Sequence, residues 1–232
     1  MRQVPHYLII GQGRVARHVR QYFSLIPLHH DIWHRGQPVS ALQSLAQKAT
    51  HILLLINDDA IETFINEHLV ETKAVKIHFS GALVTPLAYG AHPLMTFGEE
   101  LYDLPVYQAM PFVIDDDAPD FQTLLPGISN PHARLPKTQK AKYHALCVMA
   151  GNFSCLLWQK LFSALEQEFH IPPSFARGYL RRQTKNILHD YHTALTGPLA
   201  RGDQATIDRN IKALEGDPFQ SVYKSFVEAY KP

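Results

Sequence analysis

Hydrophobic and polar positions follow two different rhythms along the chain. In the first half, short apolar runs alternate with segments whose apolar residues recur at helical spacing. Residues 7–10 and 51–56 are almost continuously apolar, as expected of strands buried on both faces. Residues 14–23 between them have the spacing of a helix with one buried face. This alternation predicts an α/β fold built on a doubly wound parallel sheet.

The same pattern predicts the other elements of the first half. Ser40, and either Asp58 or Asp59, are expected to cap helices, because short polar side chains accept hydrogen bonds from a first helical turn. The predicted strands and extended stretches are residues 28–33, 75–79, 91–95 and 107–114, and the predicted helices are residue 40 to about residue 48 and a segment that reaches residue 69.

The rhythm changes after residue 114. Aspartate and proline concentrate in residues 115–136, which we interpret as a domain junction outside the core. Beyond it the pattern is helical. The apolar segment 137–169 predicts a central buried helix, bent at Gly151, and further helices are expected at residues 174–195, after a cap at Asp203, and after a cap at Asp217. The sequence therefore predicts an α/β domain at residues 1–136 and an all-α domain at residues 137–232.

Composition narrows the classes of partner. Hydrophobic residues make up 46% of the 232 residues, which is enough for a core, and the formal net charge is +1. A chain so close to neutral has no overall field that would attract nucleic acid or anionic lipid, so neither is an expected partner. We expect no membrane span either, since no apolar run approaches roughly 20 residues, and the first residues lack a signal-peptide pattern.

Cysteine and histidine usage argues against a disulfide framework or a metal site. Cys147 and Cys155 form no Cys-x-x-Cys motif, which favours a reducing compartment and a cytoplasmic location. Fourteen histidines are present, and those at residues 29–34 and 189–192 have loosely suitable spacing. Neither group has the His-Glu-x-x-His pattern of a helical zinc site, so no metal is expected.

A glycine-rich loop follows the first predicted strand and opens the first predicted helix. Residues 11–16 read Gly-Gln-Gly-Arg-Val-Ala, a G-x-G-x-x-A pattern. Gly11 permits a tight turn, Gly13 lets a pyrophosphate approach the backbone, and Ala16 allows close contact between helix and strand. The free N–H groups of the helix N-terminus would then hold the anion. The loop therefore predicts a Rossmann-type dinucleotide site; a turn that merely needed glycine is the alternative.

The choice of cofactor depends on the end of the second strand. NAD sites carry an acidic residue there, whereas this chain has Trp-His-Arg-Gly at residues 33–36. Arg35, with Arg14 as a second charge, suits a 2′-phosphate, so NADP is predicted. Asp31 keeps NAD as the alternative if the strand register differs. The predicted cofactor residues are Gly11, Gln12, Gly13, Arg14, Val15, His34, Arg35, Ile56 and Asn57.

With these residues in view, the chain resembles Rossmann-like proteins that carry an uncharacterised helical C-terminal domain, relatives of pyrroline-5-carboxylate reductase, ketopantoate reductase and prephenate dehydrogenase. The wider relatives are NAD(P)-dependent and their helical domains often dimerise, which implies an NAD(P) cofactor and a homodimer here. The matching segments span nearly the whole chain, at residues 11–15, 55–61, 78–82, 92–97, 151–153 and 195–203.

Candidate catalytic residues come from the same segments. His92, followed by Pro93, resembles the His-Pro of prephenate dehydrogenase and could donate a proton to a carbonyl or imine. Asn152 is expected on the helix from which relatives contact substrate, either as a catalytic residue or as a buried amide. Several relatives have a lysine four residues before this asparagine, and Val148 stands there instead, which puts their proton-donor chemistry in doubt.

Candidate substrate-binding residues lie in two loops. Ser80 and Gly81 follow a predicted strand in a tight polar loop, and Thr196 and Arg201 lie between predicted helices, where Arg201 could hold a carboxylate. The sequence thus favours an NADP-dependent oxidoreductase that reduces a small keto or imino compound between its two domains. A non-catalytic NADP-binding sensor or scaffold is the main alternative, and a dimerisation module with a vestigial cleft is the other.

Overall fold

The computed structural model describes residues 4–230. The chain folds into two compact units that divide between Cys155 and Leu156. The predicted assignment of cofactor binding to residues 1–136 and of substrate binding and dimerisation to residues 137–232 stays a prediction.

A seven-stranded sheet organises the first unit, with the strand order β2-β1-β3-β4-β5-β6-β7. The first five strands in this order of pairing are parallel, β6 is antiparallel to β5, and β7 is parallel to β6. The α/β fold with a doubly wound, Rossmann-type sheet is thus confirmed. The strands are β1 (Tyr7–Ile10), β2 (His30–Trp33), β3 (His51–Leu54), β4 (Val75–His78), β5 (Tyr89–Pro93), β6 (Phe112–Asp115) and β7 (His132–Leu135).

Helices cover both faces of this sheet. Tyr7 and Ile9 of β1 belong to one buried cluster, and Leu8 and Ile10 belong to another on the opposite face. Because successive side chains of a strand point to opposite faces, this explains why β1 is continuously apolar. The helices of the first unit are α1 (Arg14–Leu25), α2 (Val39–Lys48), α3 (Asp58–His68), α4 (Leu104–Ala109), α5 (Phe121–Leu124) and α6 (Lys140–Val148).

Two of the predicted helix caps are wrong. Helix α2 begins one residue earlier than expected, so Pro38 occupies its N-cap position and Ser40 lies inside the helix. Asn57 occupies the N-cap position of α3, and Asp58 and Asp59 lie in the first turn. Carboxylates in a first turn still stabilise a helix through its dipole, without capping it.

Residues 107–136 also depart from the predicted pattern. Tyr107 lies in α4 rather than in a strand, because Asp103 and Pro105 begin a helix before it. The proline-rich stretch was expected outside the core, and that expectation is wrong. Phe121 and Leu124 are buried in the main cluster, and β7 adds a strand to the sheet. The apolar residues between the prolines are buried in the core, even though the turn-forming residues around them are typical of a surface linker.

A continuous helix runs from Lys137 to Gln167. It includes α6, a π-helical turn at Met149–Phe153 and α7 (Ser154–Gln167), so the predicted irregularity lies around Gly151. No residue in the most apolar stretch of this helix is buried, and most of its apolar side chains are exposed. The prediction of a buried central helix is therefore wrong. By length and composition alone this helix is long and apolar enough to cross a membrane. The expectation that the chain has no membrane span stays a prediction.

The second unit is helical, as predicted. Asp203 caps the helix Gln204–Ala213 by accepting a hydrogen bond from the backbone N–H of Thr206 at 3.1 Å. Asp217 accepts from the backbone N–H of Phe219 at 2.8 Å, at the start of the helix Phe219–Ala229. Besides the greater part of α7, the unit contains α8 (Arg177–His189), α9 (Pro198–Arg201), α10 (Gln204–Ala213) and α11 (Phe219–Ala229).

Candidate functional site

A cleft of about 620 Å³ lies at the carboxyl ends of β1, β2 and β3. Ligands of open α/β sheets bind at this edge. All nine residues predicted from the sequence to bind a cofactor line this cleft. Its other lining residues are Ile10, Trp33, Leu54, Leu55, Asp58, Ala60, Phe64, Phe79 and Ser80.

The two glycines of the loop meet different structural demands. Gly11 has φ +129°, and a Cβ atom built on it would lie 2.2 Å from the carbonyl oxygen of Leu55. A side chain is therefore excluded by both the backbone and the neighbouring strand. A Cβ atom built on Gly13 would have no atom within 4 Å. Gly13 thus leaves open space, as a site for a close-approaching ligand requires.

The N-terminus of α1 faces this open space. Gly13 is its N-cap residue, no side chain caps the helix, and no acidic residue lies in its first turn. The first backbone N–H groups of the helix are therefore without a capping side chain. Unpaired N–H groups and the positive end of the helix dipole favour an anionic ligand such as a pyrophosphate.

The charged residues beside the cleft distinguish between NADP and NAD as the cofactor that fits it. Arg35 is exposed and lines the cleft. The carboxylate of Asp31 instead lies 2.8 Å from Nε2 of His6, which precedes β1. The Asp31 carboxylate is therefore paired near the amino end of the sheet, away from the ribose position that an NAD-binding acid occupies. The residues present fit a 2′-phosphate better than free ribose hydroxyls.

Arg14 is less available than Arg35. Its Nη2 donates to Oε1 of Glu99 at 2.7 Å, and Arg17 donates to the other oxygen of the same carboxylate at 3.3 Å. The hydrogen bond and charge of Arg14, followed by those of Arg17, lower the pKa of Glu99. A phosphate would have to compete with Glu99 for Arg14.

Ser80 and Gly81 join the cleft to a second group of polar side chains. The hydroxyl of Ser80 donates to Asp58 and accepts from the backbone N–H of Leu83 at 2.9 Å. A Cβ atom built on Gly81 would lie 2.3 Å from Nδ1 of His144 and 3.1 Å from Cδ2 of His92. Ser80 lines the cleft, and Gly81, the residue after it, lies against these two histidines.

We call this second group the polar cluster and define it as His78, His92, Asp115, Lys140, Tyr143 and His144. It lies where α6 packs on β4, β5 and β6. Nδ1 of His92 lies 2.9 Å from the hydroxyl of Tyr143. Burial, and then the neighbouring His144 and Lys140, lower the pKa of His92 to about 4. His92 is therefore neutral at pH 7.

A buried ion pair lies at the centre of the polar cluster. Nζ of Lys140 is 2.7 Å from Oδ1 of Asp115, and the side chains are 5% and 2% exposed. The other oxygen of Asp115 accepts from the backbone N–H of Gly90 at 2.7 Å. A Cβ atom on Gly90 would lie 2.3 Å from Nζ of Lys140, so the ion pair needs glycine at this position of β5.

His78 is the most buried member of the polar cluster. It is 0% exposed, and neither ring nitrogen has a hydrogen-bond partner within residues 4–230. Burial, and then the positive charge of Lys140, lower its pKa to about 4. A neutral ring is the form that this position can hold without a counter-charge.

Sequence reasoning missed most of the polar cluster. It named His92, and it noted Val148 four residues before Asn152. Extending that i, i+4 series by two further steps toward the N-terminus passes His144 and reaches Lys140, which supplies a buried lysine on this helix. No nearby sequence pattern indicates that Asp115 and His78 belong to the polar cluster, because the residues around them there come from other strands or helices.

Three predicted site residues lie outside the cleft and the polar cluster. Asn152 is exposed in the π-helical turn. Thr196 and Arg201 are exposed in the second unit, where Arg201 lies 4.0 Å from the carboxylate of Asp203. Their catalytic and substrate-binding roles stay predictions. Within residues 4–230, no three His, Cys, Asp or Glu side chains are grouped as a metal site would require.

A doubly wound sheet, a glycine loop at the first strand–helix turn and a helical C-terminal part define a Rossmann-type α/β protein. Within that class, the chain belongs to the family described as "Domain of unknown function (DUF2520)", whose model matches residues 111–230. No curated protein is similar enough to be matched with the chain.

Solved structures share this fold over almost the whole chain. An NADP oxidoreductase structure from Bacteroides fragilis is 17% identical, with 97% of both chains covered and a TM-score of 0.75. An imine reductase from Streptomyces aurantiacus is 12% identical, with 97% and 92% covered and a TM-score of 0.65. A pyrroline carboxylate reductase from Plasmodium falciparum is 10% identical, with 97% and 96% covered and a TM-score of 0.60. These likenesses confirm the resemblance in fold.

Proposed function

We propose that this protein is an NADP-dependent oxidoreductase that reduces a small keto or imino compound. One observation carries the proposal. The structure brings together, in a single cleft, the open glycine of the loop, the uncapped N-terminus of α1 and Arg35. Gly13 lets a pyrophosphate approach the backbone closely, and the uncapped helix N-terminus favours an anion there. The guanidinium of Arg35 suits a 2′-phosphate. The similarly folded NADP oxidoreductase, imine reductase and pyrroline carboxylate reductase support the choice of reaction class.

NADP is favoured over NAD by the positions of two charged residues. Arg35 faces the cleft, and a planar guanidinium suits bidentate recognition of phosphate. Asp31 is held by His6. No acidic side chain therefore follows β2 closely enough to take the role of the NAD-selecting carboxylate among the described residues.

The chain's own residues would bind the nucleotide and polarise the substrate. When bound, the reduced nicotinamide supplies a hydride to the carbonyl or imine carbon. Negative charge develops on the oxygen or nitrogen of that group, and a hydrogen-bond donor stabilises it. His92 is the candidate donor. Because its pKa is lowered to about 4, it would act as a neutral N–H donor, with solvent water providing the proton.

A non-catalytic NADP-binding protein is the second candidate, and one observation favours it. His78 and His92 have lowered pKa values, and burial raises the pKa of Tyr143. All three are therefore un-ionised at pH 7. General acids work best with a pKa near the working pH, and none of these three side chains has its pKa near pH 7.

Turnover assays separate the two candidates. Purified protein with NADPH and a panel of keto acids and cyclic imines is followed by the loss of NADPH absorbance. Where a compound is reduced, His92→Ala is expected to lower kcat by at least tenfold with little change in NADPH affinity. Asn152→Ala tests its predicted catalytic role in the same way. If the protein binds NADPH but reduces none of these compounds, the non-catalytic binding function is favoured over the oxidoreductase function.

We also propose a cytoplasmic homodimer that forms mainly through the C-terminal half. The helix Lys137–Gln167 exposes apolar side chains, among them Leu146, Met149 and Phe153. Apolar surface on this scale is typical of an interface or a membrane-contacting segment. Charged and polar residues interrupt it, including Lys142 and Gln159, which favours a second copy of the chain over lipid.

A further inference from the structure

We infer that Tyr143 is a positioning residue that fixes the tautomer of His92, so that His92 presents its Nε2–H to the substrate. This inference rests on the proposed oxidoreductase function, because it assigns a partner to the candidate donor. Its main test measures the protein alone and needs neither cofactor nor substrate.

The two side chains meet across a helix and a strand. Tyr143 lies on α6 and His92 on β5, and the Tyr143 hydroxyl is 2.9 Å from Nδ1 of His92. Their ring planes are almost perpendicular, at 83°. This hydrogen bond ties the ring of His92 to the helix.

The ring is also enclosed on other sides. His144 lies edge-on to His92, with ring centroids 5.5 Å apart. Gly81 approaches Cδ2 so closely that a Cβ atom built on it would lie 3.1 Å away. Rotation of the imidazole by 180° would place Nδ1 elsewhere and break the bond to Tyr143. The packing therefore favours one ring orientation.

The hydroxyl of Tyr143 needs an acceptor for its own hydrogen, and this decides the direction of the hydrogen bond. Within residues 4–230, its hydrogen-bond partner is Nδ1 of His92. An unprotonated imidazole nitrogen is a good acceptor. The Tyr143 O–H therefore donates to Nδ1, because in the opposite direction this O–H would be left without an acceptor.

This direction determines the state of His92. A neutral imidazole carries one proton, so a ring that accepts at Nδ1 must carry its proton on Nε2. Nε2 of His92 makes no hydrogen bond to any residue from 4 to 230. The Nε2–H group is thus left for an acceptor atom outside the chain. Such an atom needs a lone pair, as in a carbonyl oxygen or an unprotonated imine nitrogen, and a protonated iminium has none.

The decisive experiment is nitrogen-15 NMR of histidine-labelled protein at pH 7, with His92 assigned by its loss in His92→Gln. We expect the wild-type His92 to be mainly the Nε2–H tautomer. In Tyr143→Phe, which keeps the ring and removes only the hydroxyl, a mixture of tautomers is expected. Tyr22→Phe is the matched control, because it removes another buried hydroxyl, one that donates to Asn130, and should leave His92 unchanged.

Kinetics supply a second readout once a substrate is known. Tyr143→Phe should lower kcat about tenfold, the effect of one lost hydrogen bond, with KM nearly unchanged. Tyr22→Phe should not. A wild-type His92 in the Nδ1–H tautomer, or an unaltered tautomer in Tyr143→Phe, would overturn the inference. Failure of the proposed function is a different result, namely the expected tautomer with no compound reduced.

Discussion

The ammonium group of Lys140 lies 2.7 Å from a carboxylate oxygen of Asp115, and both side chains are buried. Removing one member would leave the other charge buried without a partner. We therefore expect Lys140→Met to lower the free energy of unfolding by about 3–5 kcal/mol. Urea unfolding followed by circular dichroism measures this loss.

Lys137→Met is the matched control for that prediction. Lys137 also lies 2.7 Å from a carboxylate, that of Asp117, but this pair is much more exposed. Its loss should cost less than about 1 kcal/mol. Equal losses in the two variants would mean that the buried pair has no special role in stability.

The cofactor-binding part of the cleft could be predicted from the sequence. The nine residues expected to bind a cofactor follow β1, β2 and β3, so chain order alone brings Gly13, Arg35 and Asn57 to one edge of the sheet. Strand β1 was equally accessible, since it is a four-residue apolar run that begins and ends where the pattern predicts. Strand β7 was not, because it lies in the stretch where prolines predict a domain junction.

The polar cluster could not be predicted in the same way. Lys140 reads as a surface residue in a helical pattern, and Asp115 reads as part of a turn-forming stretch. Their pairing depends on α6 packing over β5 and β6, at a sequence separation of 25 residues. The exposure of the long helix was also missed, because an apolar pattern does not tell whether its own chain or a partner covers it.

His78 should make the protein sensitive to acid. Its pKa is about 4 in the folded state, mainly because of burial, against about 6.5 when unfolded. Between these values the unfolded chain binds a proton that the folded protein does not, so stability falls as pH falls from 6.5 to 4. His78→Leu should reduce the loss of unfolding free energy between pH 7 and pH 4.5 by about 1–3 kcal/mol.

Urea unfolding of both proteins at the two pH values gives the comparison. His92 and His51, whose pKa values are also lowered mainly by burial, remain in the variant, so part of the acid sensitivity should persist. An unchanged loss in His78→Leu would show that His78 binds its proton equally well in both states.

Dimer formation can be tested on the exposed side of the long helix. Leu146 is 55% exposed and Phe153 is 49% exposed in the single chain. We expect a dimer at micromolar concentration by sedimentation velocity and a monomer for the double variant Leu146→Glu, Phe153→Glu, since charges are costly in a buried interface. Val70→Glu, at an exposed apolar position of the first unit, should leave the dimer intact. A monomeric wild-type protein would contradict the proposal.

Cofactor preference should depend on Arg35. Arg35→Asp removes the guanidinium proposed for the 2′-phosphate and adds an acid suited to ribose hydroxyls. NADPH binding should weaken about 10- to 100-fold, the effect of one or two charge-assisted hydrogen bonds, and NADH binding should weaken less or improve. Competition binding with the two nucleotides measures the ratio.

Asp31→Asn is the control for this change. Its carboxylate pairs with His6 rather than facing the cleft, so the ratio of NADPH to NADH affinity should stay as in the wild type. A shift toward NADPH in this variant would instead assign the ribose contact to Asp31.

The most direct test of the proposed function is calorimetric titration of the protein with NADPH, repeated with Gly13→Val. Gly13 has an extended backbone and open space around its Cβ position, so the variant should fold and melt like the wild type. Its side chain would occupy the space proposed for the pyrophosphate. We predict saturable binding of one NADPH per wild-type chain, tighter than that of NADH, and at least tenfold weaker binding in Gly13→Val. Wild-type protein that binds neither nucleotide, or a Gly13→Val variant that binds NADPH as tightly as the wild type, would contradict the assignment of this cleft to NADP.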